Sequence, residues 1–189
     1  MARRERQGER RVEKAKIDPE RIRKTWRRLA DRGFRLPPPT MGFFRLSLLS
    51  AEEAASALAD GMAAHPQPSL VLAFDPDERM CNPGGIVQGG VIAGVLDEAI
   101  GVLTAALAEG RPFTTGHLAL DYFAPVQPGR RHLAYAWLVR RGRRRMVVDA
   151  EMIEPGRPGR PLARASAQQL FLDLVGPGNG GEGQDIAER

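Results

Sequence analysis

A single cysteine, Cys81, and only three histidines limit what this chain can do. One thiol forms no internal disulfide framework and no thiol pair for a metal. His65, His117 and His132 have no metal-ligand spacing, Cys81 has no histidine in a local motif, and all four read as structural. No apolar run approaches the ~18 residues needed to span a bilayer, so no membrane partner is expected. The first residues, MARRERQGERRVEKAK, have no apolar stretch of the secretory kind and carry Glu5, Glu9 and Glu13, unlike an acid-poor transit peptide. A soluble cytoplasmic protein is the expectation. Aromatic residues make up 6% of the chain and none falls within residues 1–25, which removes the base-stacking surface a nucleic-acid arm would use.

The charge is unevenly distributed. The net +5 is concentrated at the start, where residues 1–28 hold 12 Lys/Arg against 5 Asp/Glu. The remaining 161 residues hold 16 against 18. The basic character belongs to a leading segment, read as a solvated tail or an arm for an acidic partner, with nucleic acid not expected. Three regions follow: residues 1–40 as a basic segment with a short helix, 41–175 as one domain, and 176–189 as a Gly-rich disordered tail.

The stretch least like ordinary scaffolding is Asn82 to Gly101. It opens on turn residues Pro83, Gly84 and Gly85, passes Gly89 and Gly90, and becomes a helix to about Glu109 that is apolar almost all round. Asp97 and Glu98 sit within it, and an ionised carboxylate in such surroundings is costly unless partnered or functional. Ala93, Gly101 and Ala108 form a small-residue stripe beside Asp97, leaving room for another chain or a ligand. Glu98, about 100° round the helix, reads as an ion-pair or capping partner, with catalysis as the sharper alternative.

Around this helix, Asp18-Pro19-Glu20 predicts a helix start, and Ser50 with Glu53 predicts a capping box for a helix to about Met62. Ser69 to Phe74 reads as a strand. Beyond the helix the period changes to two, in Thr114–Phe123, His132–Arg140, Arg145–Ile153 and Leu162–Leu172. Short turns between them predict a four-stranded antiparallel meander. In the first strand Leu118, Leu120 and Tyr122 should face one way and Thr115, His117, Ala119 and Asp121 the other. In the last, Ala163, Ala165 and Ala167 are small enough to let the helix approach. The expected class is α+β, a curved antiparallel sheet wrapped around one long helix.

Gly89 and Gly90 stand where a helix N-terminus presents unpaired N–H groups, so either a backbone donor for an oxyanion or merely a tight entry turn is possible there. Asp97 lies eight residues on, ~12 Å along the axis at ~1.5 Å per residue. One reacting carbonyl would have to be ~3 Å from both groups, so a site using both requires two protomers with antiparallel helices.

The pattern Asn82…Gln88-Gly89-Gly90…Leu96-Asp97-Glu98-Ala99, then Thr115…Asp121-Tyr122…Pro125, resembles the hotdog-fold acyl-CoA thioesterases of the PaaI type. The resemblance runs from Leu70 to Leu172 and includes Gly142-Arg143-Arg144. It implies a hotdog fold, acyl-CoA as substrate, no metal or redox cofactor, and a homodimer or dimer of dimers. It also implies Asp97 as general base or nucleophile, the Gly89 N–H as donor to the thioester oxygen, and Asn82 holding the carbonyl or the attacking water. Thr115 matches a hydroxyl that positions water beside the acid; a plain β-former at a strand start is the bland alternative. Arg143 and Arg144, within an arginine-rich turn, suit the phosphates of CoA, or else simply solvate the turn. Gln88 departs from the family, which has His there; Gln cannot titrate near neutral pH. That departure motivates an alternative of a different class, a non-catalytic acyl-CoA binder or sensor. A hydratase lacks its acid and closely following His here.

Overall fold

The computed structural model describes residues 19–31, 33, 35–58, 69–157 and 160–172. The Gly-rich tail, most of the basic leader, His65, Asp18 and the expected helix end at Met62 lie outside them. In chain order the elements are α1 (Pro19–Ala30), α2 (Pro39–Phe43), β1 (Leu46–Leu48), α3 (Ala51–Leu58), β2 (Leu70–Phe74), α4 (Gly89–Ala108), β3 (Phe113–Tyr122), β4 (His132–Arg141), β5 (Arg145–Ile153) and β6 (Ala163–Phe171).

The long helix α4 is the centre. Val95, Leu96, Ala99, Ile100 and Leu103 are fully buried on it. Strands β2 to β6 and helix α1 all pack against it. Its 20 residues and mean hydropathy of 1.9 meet the length and composition of a membrane span, although Asp97 and Glu98 interrupt the run. The expectation that nothing here approaches a span therefore holds only for uninterrupted runs. What α4 buries is protein: Met146, Val148, Ala150 and Met152 of β5 and Ala163, Ala165 and Ala167 of β6 join its core. The alanines are small, and the helix lies close over them, as their spacing predicted.

The six strands form one antiparallel sheet in the order β1-β2-β4-β5-β6-β3. This corrects the four-stranded meander. Only β4, β5 and β6 follow one another; β3 crosses to the far edge and pairs with β6. The turn between β3 and β4, at Gln127-Pro128-Gly129, does not make a hairpin. The Gly129 N–H donates to the Pro76 carbonyl (2.9 Å), and the Val87 N–H to that of Val126 (2.9 Å), so the connection runs past the entry to α4. A second strand, β1, also precedes the helix and pairs with β2.

The face assignment in β3 is corrected too. The register with β6 shifts between Thr115 and His117. One extra residue, Gly116, turns Thr115 to the helix side together with Leu118 and Leu120, against the parity a regular strand would have. In β4, Leu133, Tyr135 and Trp137 share the outer face. There they meet Val71, Ala73 and the α3 residues Ala54, Ala57 and Leu58 in a second, smaller cluster. Tyr135 donates a hydrogen bond to the buried Glu151, which also meets the Arg164 guanidinium at 3.4 Å. Burial first, and the Glu151 hydrogen bond second, keep the Tyr135 hydroxyl protonated far above the usual phenol range.

Two helix starts behave as the sequence predicts. The Ser50 N–H donates to Glu53 Oε2 (2.7 Å) and the Glu53 N–H to Ser50 Oγ (3.1 Å), a reciprocal capping box that opens α3. Helix α1 begins at Pro19 and packs its buried Ile22 into the α4 core.

Candidate active site

The turn before α4 is held by its own backbone. The Asn82 N–H donates to the Ile86 carbonyl (2.8 Å) and the Gly85 N–H returns to the Asn82 carbonyl (2.9 Å). The Asn82 side-chain oxygen accepts from the Gly84 N–H (2.9 Å), closing an Asx turn. Gln88 is the N-cap residue of α4, extended at φ −60° and ψ 136°, with no side-chain cap bond. Its N–H is taken by the Met80 carbonyl (2.8 Å), so its position is set by the main chain, and its side chain is exposed. Gly89 is the first helical residue, where N–H groups have no intrahelical acceptor.

One residue the sequence reading gave no role completes this end. The Tyr122 hydroxyl, at the end of β3, donates to the Gly89 carbonyl (2.9 Å). A Cβ at Gly89 would stand 3.6 Å from that ring. The alternation that put Tyr122 on the face of Leu118 and Leu120 was its signal in the sequence.

Two turns along α4, Asp97 is half-buried, next to Glu98 in an otherwise apolar stretch. The Thr115 hydroxyl lies 3.0 Å from Asp97 Oδ1 and donates to it. Behind Thr115, fully buried Gln169 donates its Nε2 to the same hydroxyl oxygen at 3.0 Å. A hydroxyl whose oxygen is already occupied as an acceptor is directed to give its proton to the carboxylate. The Gly116 bulge makes this possible, because a regular strand would point Thr115 away from α4. Gln169 was missed. Its signal was a polar side chain continuing the inward-facing series Ala163, Ala165, Ala167.

Glu98 faces another partner. Its Oε2 accepts from Thr40 Oγ1 of α2 at 2.6 Å. Burial raises its carboxyl above the usual range, the neighbouring Asp97 pushes the same way, and the Thr40 hydrogen bond only partly offsets them. The two adjacent acids thus have different surroundings: one is held by a positioned hydroxyl, the other is driven toward its neutral form.

Asp97 and Thr115 are brought together, as are Gln88 and Gly89 with the Asn82 turn. Gly89 and Asp97 are not; eight residues of one helix still separate them, ~12 Å along its axis. Arg143 and Arg144 lie on the exposed β4–β5 turn at the opposite end of α4 from Gly89. There the Arg143 carbonyl accepts from the Arg111 guanidinium (3.1 Å) and the Arg144 carbonyl from the Phe171 N–H (3.0 Å). Among the described residues, no group of three or more His, Cys, Asp or Glu could hold a metal ion.

A long helix laid on an antiparallel sheet of this order, carrying an acid and preceded by a glycine turn, defines the hotdog class. Residues 84–158 match the family model of the thioesterase superfamily. An uncharacterized acyl-CoA thioester hydrolase of Zymomonas mobilis is 37% identical over 70 residues, 37% of this chain and 47% of the relative. The chain therefore spans about half the length of that curated relative. Among solved structures, a phenylacetic acid degradation-related protein from Ralstonia eutropha JMP134 is 25% identical with a TM-score of 0.57, over 77% of this chain and 99% of that one. The E. coli PaaI protein of the phenylacetic acid degradation operon, 12% identical, shares the fold with a TM-score of 0.58 over 81% of this chain and 94% of its own. The fold is the hotdog fold, and the thioesterase resemblance read over Leu70 to Leu172 is borne out, the family model covering residues 84–158 of it.

Proposed function

We propose that this protein hydrolyses an acyl-CoA thioester to the free acid and CoA. One observation carries the reading: a half-buried carboxylate, Asp97, on an apolar helix, is held by a hydroxyl that Gln169 locks in place, in a chain matching the thioesterase superfamily. Asp97 acts as general base on water or as nucleophile on the thioester carbon. The Thr115 hydroxyl holds the carboxylate in place and positions the water.

The thioester oxygen is polarised by the Gly89 N–H at the positive end of α4. Since ~12 Å separates that donor from Asp97 of the same helix, the donor comes from a second protomer, and the working unit is at least a homodimer. Asn82 steadies the turn, and its amide group is available to the carbonyl or to water. Gln88 stands where the family has His and acts through hydrogen bonding alone. Arg143 and Arg144 meet the phosphates of CoA. No metal or redox cofactor takes part, and the protein works in the cytoplasm.

The test is a hydrolysis screen over short, medium, long and aromatic acyl-CoAs with Asp97→Asn as control; full activity in that variant ends the assignment. A second reading, an acyl-CoA sensor on the same fold, is favoured by Gln88, whose exposed side chain cannot carry a proton near neutral pH. Tight acyl-CoA binding with no turnover across the panel would select it.

A further inference from the structure

Between α1, the chain leading into α2, and the second half of α4 lies a cavity of about 600 Å³. That lies within the roughly 300–1,000 Å³ typical of small-molecule sites. Its walls are mostly apolar: Trp26 and Leu29 of α1, Pro38, Val102 and Ala105 of α4, and Phe113 of β3. Its α4 wall begins at Glu98, the residue after Asp97, and continues through Gly101. A Cβ built at Gly101 meets nothing within 4 Å. The α1 and Pro38 walls lie before residue 84, so they belong to no part of the segment that matches the family.

Its lining carries one acid, Glu98, and one base, Arg111. Glu98 either stays neutral, as its burial encourages, or ionises and repels an anion. The Arg111 guanidinium is already engaged, over the Phe171 ring at 4.0 Å and on the Arg143 carbonyl.

We infer that this cavity between α1 and α4 is the subsite for the acyl group, and that it selects uncharged apolar acyl chains of medium size over acetyl. The inference rests on the acyl-CoA reading above. The link to the acid is one helical turn: Gly101, on the lining, is four residues after Asp97 and so lies on its face of α4, and the lining continues along α4 to Ala105. Gly101 is the specificity-determining position, because its missing side chain leaves the α4 wall of the cavity open.

The test is equilibrium binding and hydrolysis of acetyl-CoA and octanoyl-CoA by the full chain, by Gly101→Leu and by the milder Gly101→Ala. The alanine variant raises helix propensity and keeps the fold in hand. Octanoyl-CoA, with six more methylenes to bury, should bind the unaltered protein at least ~10-fold tighter than acetyl-CoA. Gly101→Leu should bring that ratio close to one, with Gly101→Ala between. Equal affinity for the two ligands in the unaltered protein overturns the inference, as does an unchanged ratio in both variants. If the octanoyl preference is present and lost on filling, but no acyl-CoA is hydrolysed, the hydrolase reading fails and the subsite stands.

Discussion

The two sides of α4 obey different rules. Toward the sheet, Val95, Leu96, Ala99, Ile100 and Leu103 are completely buried, and each is explained by packing alone. On the other side Asp97, Glu98 and Gly101 are half-buried, and packing explains none of them. A carboxylate costs free energy there, and a glycine in mid-helix sacrifices about 1 kcal/mol relative to alanine. The same twenty residues thus serve as the core of a domain and as the wall of a site. Stability is expected to come from one side and chemistry from the other.

The largest effect that could break this division is on the acid. Asp97→Asn should lower hydrolysis by about 10³-fold or more, near 4 kcal/mol of barrier, with an unfolding midpoint close to that of the unaltered protein. Joint loss of activity and stability would instead make Asp97 part of the core. On the opposite side, Leu103→Ala should cost about 2–5 kcal/mol in denaturant unfolding while the folded fraction keeps its kcat.

Thr115→Val probes the junction of the two sides. It removes the Asp97 partner and leaves buried Gln169 without its hydrogen bond, so a loss of about 1–3 kcal/mol of stability is expected together with reduced kcat. Unchanged turnover would reduce Thr115 to a structural strand residue.

Glu98→Gln sharpens the contrast between neighbouring acids. The folded Glu98 carboxyl titrates above its ordinary 4.5. Between those two values the folded state holds more protons than the unfolded chain, so stability falls as pH rises through that window. The glutamine variant should therefore melt higher at pH 7.5 than the parent, and the difference should vanish below pH 4.5, in a series of melting curves. A constant difference at every pH would contradict burial as the cause. Least of all, Arg143→Ala with Arg144→Ala should leave stability within about 0.5 kcal/mol and raise KM a few-fold, a change that added salt also produces in the parent.

The helix and its acid were legible because both are local. An apolar circumference over twenty residues has few uses other than burial, and the two adjacent carboxylates within it, Asp97 and Glu98, stand out against that background. The capping box at Ser50 and Glu53 was legible for the same reason. The position of β3 was not. Its turn residues suggest a hairpin, yet they bind the Pro76 carbonyl, and its pairing goes to β6 at the far edge. Thr115 was named from the resemblance but assigned to the wrong face, because one inserted glycine inverts the parity of everything before it. Gln169 was overlooked for want of knowing that its strand lies beside Thr115.

The sequence by itself determined the α+β class, the central helix with its acids and its glycine entry, and the uneven distribution of charge, since periodicity and spacing are properties of neighbours along the chain. Tertiary structure alone decided the strand order, the bulge that turns Thr115 to the acid, the outer cluster under α3 and the cavity beside Glu98. Each of these joins residues far apart in sequence, and which distant faces meet is settled by how their surfaces fill space together.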